Sequence, residues 1–335
     1  RPPRSTLSSS SAASDVYKRQ LVVLLISGGA SALLPFPVTG LTLHDLQITT
    51  DLLLRAGVDI GELNTVRKHL SRLKGGQLAR LLSPAPAIAL ILSDVVGDRL
   101  DVIASGLTVP DPTTYADATT VLARYALLDR VPPSVRDHLD VGCAGDGAET
   151  PKPGDPVFAH ITNVIIGSNR IAAQAAVAEA KKLGYRALLL STFVEGEARE
   201  VAKVVAALAK GVRRHNDPLP PPLCLVLGGE TTVTVRGRGK GGRNQELALA
   251  VALALDGLPG VALLALATDG TDGPTDAAGA IVDGQTLNRA RALGWDAVAA
   301  LNDNNAYPLL AATGDLLRTG PTGTNVNDLI VLLIA

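Results

Sequence analysis

The chain has 335 residues, of which 47% are hydrophobic and 19% charged, a composition typical of folded globular proteins that argues against intrinsic disorder. Its formal net charge of -1, with only three phenylalanines, five tyrosines and one tryptophan, argues against nucleic-acid binding and against attraction to an anionic membrane. The two cysteines, Cys143 and Cys224, are too few and too far apart for a disulfide framework, so we expect a cytoplasmic protein.

The chain starts with a serine-rich segment, and for residues 1–20 we expect a non-native or disordered tail. The continuous apolar run at residues 21–26 predicts a buried parallel strand, and the small residues 27–31 follow it directly. A strand, a small-residue loop and a helix start are the layout of an anion-binding turn. A tight strand-to-helix connection without a ligand is the alternative.

A basic cluster at residues 64–76 follows a helix predicted over residues 42–57. Its cations Arg67, Lys68 and Lys74 could bind a carboxylate or a phosphate, and the glycine pair after Lys74 would permit a close approach. A solvated helix face is the alternative.

A second apolar run at residues 87–92 predicts another buried parallel strand. Asp94 follows its carboxyl end, which is where open α/β sheets bind ligands, and is therefore a candidate Mg²⁺ ligand or general base. The segment at residues 103–114 shows little regular pattern, and loops of that length in compact domains are often functional.

Apolar strands alternate with helical segments from residue 161 onwards, which predicts a mostly parallel sheet. We therefore expect an α/β fold of two domains. The first would be a mostly parallel, Rossmann-like domain over residues 21–150, the second an α/β region over residues 151–335, with the active site in the cleft between them. The longest apolar window, at residues 247–267, is interrupted by charged and turn-forming residues, so no transmembrane segment is predicted.

The strongest functional signal is the glycine loop at residues 237–242, which lies within a run of four cations between an alternating strand and a helix. Glycine backbone and dense positive charge beside a helix N-terminus suit a polyphosphate, which makes Gly239, Lys240, Gly241 and Gly242 candidates for nucleotide binding. The loop also satisfies the G-x-G-x-x-G pattern of dinucleotide sites. However, a central Rossmann strand would be continuously apolar, and the preceding strand is not, so these residues favour phosphoryl transfer over hydride transfer.

Three aspartates, Asp269, Asp272 and Asp276, follow the apolar run at residues 261–267 on a loop rich in glycine. Carboxylates at a strand end suit Mg²⁺, which needs few of them beside phosphate oxygens and water. Helix capping and turn formation are the alternative roles.

Seven motifs together resemble the glycerate 2-kinase family with a MOFRL-type C-terminal domain, some members of which are called hydroxypyruvate reductases. They are SGGASALL, NTVRKHLSRLKGG, SDVVGD, ASGLTVPDPTT, GGETTVTVRGRGKGGRNQE, ATDGTDGPTDAAGA and TGPTGTNVNDL. The resemblance runs from about residue 21 to the end, with the MOFRL domain at about residues 222–335. It implies phosphorylation of D-glycerate at the 2-hydroxyl, with ATP and Mg²⁺, to give 2-phosphoglycerate. The alternatives are an NAD(P)H-dependent hydroxypyruvate reductase and an inactive fragment, and a homodimer is a further expectation.

The resemblance also implies roles for single residues. The catalytic arginine of the family falls on Arg243. Asp94, Asp269 and Asp272 are candidates for binding Mg²⁺ or for activating the hydroxyl, and of these we assign Asp94 to the hydroxyl. Nucleotide phosphates would be bound by Ser27, Gly28, Gly29 and Ser31, glycerate by Arg67, Lys68 and Lys74, and Mg²⁺ by Asp269 and Asp272.

Two small departures from the family pattern are Ala30 and Leu107, which replace a glycine and a proline. No residues match the GAGKA-like loop, with its lysine, and the GHPxPD-like turn that family members carry upstream. We therefore expect an N-terminally truncated chain.

Overall fold

The structure is a computed structural model that describes residues 20–335. It divides into two compact units, one formed by the chain through Ile91 together with Arg99–Ile166, the other by Leu92–Asp98 together with Gly167–Ala335. The division at residues 166/167 lies later than the expected domain boundary at residue 150. The tail expected over residues 1–20 lies outside the described residues except for Gln20. No helix within residues 20–335 is long and apolar enough to cross a membrane.

The described part of the first unit is built mainly from three strands and six helices. The strands are β1 (Val22–Ile26), β2 (Ala87–Leu92) and β3 (Ile161–Gly167). The helices are α1 (Ala30–Leu33), α2 (Leu43–Arg55), α3 (Ile60–His69), α4 (Gln77–Leu82), α5 (Tyr115–Arg124) and α6 (Pro133–Cys143), with 3₁₀ turns at Ile103–Ser105 and Pro156–Phe158.

The three strands form one sheet in the order β1-β2-β3, and β1 runs parallel to β2 with Val22 opposite Ala87 and Ile26 opposite Ile91. This confirms the two parallel strands predicted at residues 21–26 and 87–92. The expectation that β1 is buried on both faces is wrong, because Leu25 is 80% exposed. Within the described residues, the face of β1 that carries Val23 and Leu25 is exposed, and β1 is also an edge strand of its sheet.

The core of the first unit is helical. Helix α2 begins at a capping box, in which Thr42 Oγ1 accepts the Asp45 N–H at 3.2 Å and Asp45 Oδ2 accepts the Thr42 N–H at 2.8 Å. The apolar faces of α2, α3, α5 and α6 meet in a cluster that includes Leu53, Val66, Leu122 and Leu139. Each such side chain stabilises the fold by roughly 1.5–3 kcal/mol, so this cluster fixes the end of α3 that carries the basic residues.

The described part of the second unit contains six strands and six helices. The strands are β4 (Arg186–Glu197), β5 (Leu223–Thr232), β6 (Val261–Ala267), β7 (Gly279–Asp283), β8 (Leu316–Leu317) and β9 (Asp328–Ile334). The helices are α7 (Asn169–Lys182), α8 (Ala198–His215), α9 (Arg243–Ala254), α10 (Thr286–Ala292), α11 (Ala297–Asn302) and α12 (Ala306–Thr313).

The second sheet has the strand order β4-β5-β9-β6-β7-β8. Only β4 and β5 pair in parallel, and the other four pairings are antiparallel. The mostly parallel sheet predicted from the alternation after residue 161 is therefore wrong for this unit. The last strand, β9, inserts between β5 and β6 and runs against both, which local alternation does not reveal.

Helix α9 is buried on all sides from Asn244 to Ala252, whereas its first residue, Arg243, is half-buried. Helix α8 covers it with a stripe of small and β-branched residues, including Ala202, Val205 and Ala209. A helix apolar on every face is stable only inside a core. The core of the second unit therefore fixes the position of the helix end that carries Arg243.

Candidate active site

The first unit brings Ser31, Arg67 and Lys74 together. Lys74 Nζ donates to the Ser31 carbonyl oxygen at 2.6 Å, and Arg67 Nη2 donates to the same oxygen at 3.3 Å. Within residues 20–335, no carboxylate lies within 4 Å of either cation, although Lys74 is only 3% exposed. Two cations without a counter-charge are a suitable site for a small anion.

The burial of these two cations alters their acidity. Burial and then the positive charge of Arg67 lower the pKa of Lys74 to about 8. Burial also lowers the pKa of Arg67. Both shifts mean that the surrounding protein stabilises the charged forms of the two side chains poorly. A bound anion would supply the missing stabilisation.

The two cations open onto a cavity of about 350 Å³ in the same unit. Its other lining includes Ser31, the leucines Leu46 and Leu70, and residues of α2. A concave site with apolar walls and a few convergent polar groups is the usual form of a small-molecule pocket.

Lys68, predicted as a third ligand of the same anion, has a different partner. Its Nζ lies 3.3 Å from Asp111 Oδ1, and both side chains are almost fully buried. A Cβ added at Gly75 would lie 3.0 Å from Lys68 Cβ and 3.1 Å from Asp111 Oδ2, so glycine at that position lets the chain pass close to the ion pair. The charge of Lys68 is thus neutralised within the fold.

Ser31 also joins a chain of polar side chains that sequence reasoning missed. Ser31 Oγ lies 2.6 Å from Ser105 Oγ, and Ser105 Oγ donates to Asn64 Oδ1 at 2.8 Å. The only sequence signal was the irregular segment at residues 103–114, which was expected to be functional without any single residue being named. Of the other residues in the predicted phosphate loop, Gly29 has φ +78° and begins α1, and Ser27 is exposed.

In the second unit, two carboxylates hold Arg243. Arg243 Nε donates to Asp328 Oδ2 at 2.5 Å and Nη2 to Asp328 Oδ1 at 3.0 Å, while Nη1 lies 3.1 Å from Glu230 Oε1. Asp328, in β9, lies opposite Gly229 of β5, which explains why it neighbours Glu230. The arginine is therefore oriented by a bidentate ion pair, a geometry that only arginine can make.

Asp94 shares the electrostatic environment of Glu230. Burial raises the pKa of Asp94. The pKa of Glu230 is also raised, mainly by burial, and the negative charges of Asp328 and Asp94 add to that shift. The second unit contains both predicted catalytic residues, and of the two only Arg243 contacts Glu230. A carboxyl group with a raised pKa is better suited to accept a proton near neutral pH.

Asp272 caps α9. Its Oδ1 accepts the Asn244 N–H at 3.1 Å and its Oδ2 the Gln245 N–H at 2.9 Å, and the residue is 1% exposed. Burial raises the pKa of Asp272 to about 6. A Cβ at Gly242 would lie 2.3 Å from the Asp272 carboxyl carbon. The N-terminus of α9 is thus occupied by a carboxylate of the protein, which argues against a polyphosphate at this helix end.

The backbone of the glycine loop also has acceptors within the protein. Gly237 and Gly239 approach so closely that an added Cβ would lie 2.3 Å and 2.5 Å from the Asp303 carbonyl oxygen. The amides of residues 236–240 therefore already have acceptors, which argues against phosphate binding by the Gly239 backbone. The donors are Arg236 and Gly237 to Asn304 Oδ1 (2.7 and 3.0 Å), Arg238 to Asp303 Oδ1 (3.0 Å), Gly239 to the Asp303 oxygen (2.9 Å) and Lys240 to Asn305 Oδ1 (3.0 Å).

The cationic side chains of this loop, unlike its backbone amides, are exposed to solvent. Arg236, Arg238 and Lys240 are exposed, and Lys240 Nζ lies 4.5 Å from the centroid of the Tyr307 ring. Their charge remains accessible to an anionic ligand, while the backbone does not.

The structure offers limited support for the predicted metal ligands. Across residues 20–335 there is no group of three or more histidine, cysteine, aspartate or glutamate side chains that could hold a metal ion. Both oxygens of Asp272 already accept backbone N–H groups of α9. Asp269 Oδ1 accepts the Thr271 N–H at 2.9 Å, which leaves its second oxygen for another ligand. The roles of Asp269 and Asp272 as Mg²⁺ ligands therefore stay predictions.

Known proteins similar to the chain cover nearly its whole length. Profiles of the domain of unknown function DUF4147 and of the MOFRL family match residues 4–140 and 223–328. A glycerate 2-kinase of Pyrococcus horikoshii is 45% identical over 95% of the chain and 71% of that protein. A D-glycerate 2-kinase of Thermotoga maritima is 47% identical (93% and 72%), and a putative hydroxypyruvate reductase of Agrobacterium vitis is 46% identical (94% and 70%).

Solved structures give the same result. The crystal structure of the Thermotoga maritima glycerate kinase matches with a TM-score of 0.88 at 46% identity, covering 95% of the chain and 74% of that structure. A second crystal structure, of a Pyrococcus horikoshii protein, matches with a TM-score of 0.85 at 45% identity. The fold, the MOFRL match and the similarity over most of both sequences together establish that the chain belongs to the glycerate 2-kinase family.

Proposed function

We propose that the chain transfers the γ-phosphoryl group of ATP to the 2-hydroxyl group of D-glycerate and releases 2-phosphoglycerate and ADP. Membership of the glycerate 2-kinase family supports the reaction, because kinases of this family use ATP as co-substrate. The observation that carries the proposal is the pair Arg67 and Lys74 beside Ser31, two cations that open onto a cavity and have no carboxylate partner within residues 20–335.

In this proposal Arg67 and Lys74 bind the carboxylate of glycerate. A planar guanidinium and an ammonium that both donate to the Ser31 carbonyl oxygen have further N–H groups to offer, and charge-assisted hydrogen bonds are the strongest that they can form. Lys68 has a supporting role, because its ion pair with Asp111 neutralises its charge. It helps to hold the segment that carries Lys74.

Arg243 stabilises the transferring phosphoryl group, and Asp94 accepts the proton of the hydroxyl. A guanidinium has five N–H groups. Two of them donate to Asp328, and the guanidinium also forms an ion pair with Glu230, which leaves N–H groups of Nη1 and Nη2 for phosphoryl oxygens. Preorganised donors of this kind lower the barrier because they do not have to reorient as charge develops.

For the nucleotide phosphates, we propose the loop of Ser27, Gly28, Gly29 and Ser31 in the first unit, and we keep the exposed Lys240 side chain of the second unit as a separate candidate. Gly241 and Gly242 remain candidates for the same role, although Asp272 caps the N-terminus of α9 that follows them. Mg²⁺, which neutralises phosphate charge in such reactions, would be held by Asp269. We assign no step of the reaction to it.

The runner-up is the reductase activity named for some relatives, such as the putative hydroxypyruvate reductase of Agrobacterium vitis. A dinucleotide pyrophosphate bound by the G-x-G-x-x-G pattern would need free amides at the N-terminus of the following helix. Those of Asn244 and Gln245 are bonded to Asp272. This observation favours the kinase.

A paired assay tests the proposal. We expect ADP formation that depends on D-glycerate, and no NADH oxidation with hydroxypyruvate. Arg67→Gln should lower kcat/KM for glycerate by about 10–150-fold, the usual contribution of a charged hydrogen bond, whereas Arg72→Gln, at an exposed arginine that lies over the Phe36 ring, should not. Hydroxypyruvate reduction without glycerate phosphorylation, or equal effects of the two substitutions, would contradict it.

A further inference from the structure

We propose that Ser105, held by Asn64, is a positioning residue that fixes Ser31 and Lys74 for binding of the substrate carboxylate. The inference rests on the proposed function and names a residue to which no role has been assigned. Ser105 is completely buried and bonds Ser31 through its side chain at 2.6 Å. It therefore touches the residue whose carbonyl oxygen receives both Arg67 and Lys74.

The hydrogen bonds that link Asn64, Ser105 and Ser31 all have the same donor-to-acceptor direction. The Asn64 oxygen can only accept, so the Ser105 hydroxyl donates to it. Ser105 then has lone pairs left for Ser31, so Ser31 is the donor in the 2.6 Å contact. The lone pairs of Ser31 Oγ remain free to face Lys74 Nζ, which lies 3.4 Å away. Asn64 thus orients two hydroxyl groups so that Ser31 Oγ presents a lone pair, not a hydrogen, to Lys74 Nζ.

The backbone of Ser105 holds the other side of the same site. Its carbonyl oxygen accepts the Gly75 N–H at 2.9 Å, and Gly106 accepts the Gly76 N–H at 2.7 Å. Gly75 directly follows Lys74 in the chain. One turn therefore holds Ser31 by a side chain and the Lys74 segment by main-chain hydrogen bonds.

This turn adopts an unfavourable backbone conformation. Ala104 and Ser105 have φ values of +51° and +59°, in the left-handed region that residues with a Cβ seldom occupy. Glycine would adopt the same conformation without strain, as Gly106 does at +68°. Strain at two successive residues is maintained where surrounding contacts over-determine the conformation, and it concentrates at functional sites.

The substitution Ser105→Gly tests the hydroxyl group without adding backbone strain. It removes the side-chain hydrogen bonds to Ser31 and Asn64, and glycine tolerates the backbone conformation. We expect a rise of about 10-fold in KM for D-glycerate, the equivalent of one lost hydrogen bond of about 1.4 kcal/mol, with kcat within about twofold of wild type. Ala104→Gly is the matched control, since it relaxes the neighbouring residue and leaves every side-chain hydrogen bond intact. Its KM should stay within about twofold.

Asn64→Ala supplies a second, independent test. If Asn64 acts through Ser105, it should raise KM by a similar factor, and the double variant with Ser105→Gly should show no further increase. Wild-type KM in Ser105→Gly, an equal KM rise in Ala104→Gly, or additive effects in the double variant would overturn the positioning role. Absence of glycerate-dependent ADP formation in the wild-type chain would instead overturn the proposed function, so the two failures are distinguishable.

Discussion

Replacing Lys74 by glutamine tests the electrostatics of the proposed anion site most directly. Lys74 is 3% exposed, and its pKa is lowered to about 8 by burial and by Arg67. Wild-type enzyme should therefore lose the charge of Lys74 only slightly above neutral pH. If the protonated form binds the glycerate carboxylate, kcat/KM should fall tenfold per pH unit above the pKa, or about 30-fold at about pH 9.5.

The same shift predicts a change in stability of opposite sign. The folded pKa of about 8 lies below the ordinary lysine pKa of 10.5, so between these pH values the unfolded chain binds more protons than the folded one. The free energy of unfolding should rise with pH across this window and be insensitive to Lys74 below it. The difference of 2.5 pKa units corresponds to roughly 3 kcal/mol, at 1.36 kcal/mol each. Lys74→Gln should lack this rise.

The assay measures ADP formation against glycerate concentration from about pH 6.5 to about pH 9.5, with urea unfolding at the same pH values. Lys74→Arg should keep activity at high pH, because arginine stays charged. Lys182→Gln, at an exposed lysine paired with Glu179 at 2.9 Å, is the control and should behave like wild type. An alkaline fall in kcat/KM that persists in Lys74→Arg would refute the assignment of this ionisation to Lys74.

Two further substitutions test the second unit. Arg243→Ala should lower kcat by about 10²–10³-fold and destabilise the fold by about 3–5 kcal/mol, because Asp328 stays buried without its partner. Adding Asp328→Asn should restore the stability measured by urea unfolding but not kcat. Recovery of kcat in the double variant would show that Arg243 is only structural. Gly237→Ala should destabilise the fold by more than about 1 kcal/mol, because its Cβ would lie 2.3 Å from the Asp303 carbonyl oxygen. Gly241→Ala, whose closest contact would be at 3.5 Å, should be nearly neutral. Equal urea-unfolding midpoints for the two variants would contradict this account.

Local pattern was sufficient for most individual elements. The apolar run at residues 87–92 coincides with β2, and the signals at Thr42 and Gly57 bracket α2, whose capping box uses only residues three positions apart. Strand length, helix caps and glycine stops depend on neighbouring residues, so a sequence window contains the information. The family resemblance depended on long motifs in unbroken order, and the relatives confirm it.

Pairing across the second sheet was beyond local pattern. The antiparallel strand β9 joins β5 and β6 although about 100 residues separate it from β5, and nothing in the apolar run of β9 specifies its direction. The central strands β5 and β9 are largely buried on both faces, so their apolar runs do not indicate whether a neighbouring strand is parallel or antiparallel.

The sequence by itself determined the family, many of the helices and strands and the list of charged residues available for chemistry. Only the tertiary structure decided which of those charged groups already have a partner within the fold. Asp272 caps α9, Lys68 pairs with Asp111, and the loop amides bind residues 303–305, whereas Arg67 and Lys74 share the Ser31 carbonyl oxygen. The reason is that every buried donor and charge must find a partner, and those partners come from residues distant in the chain.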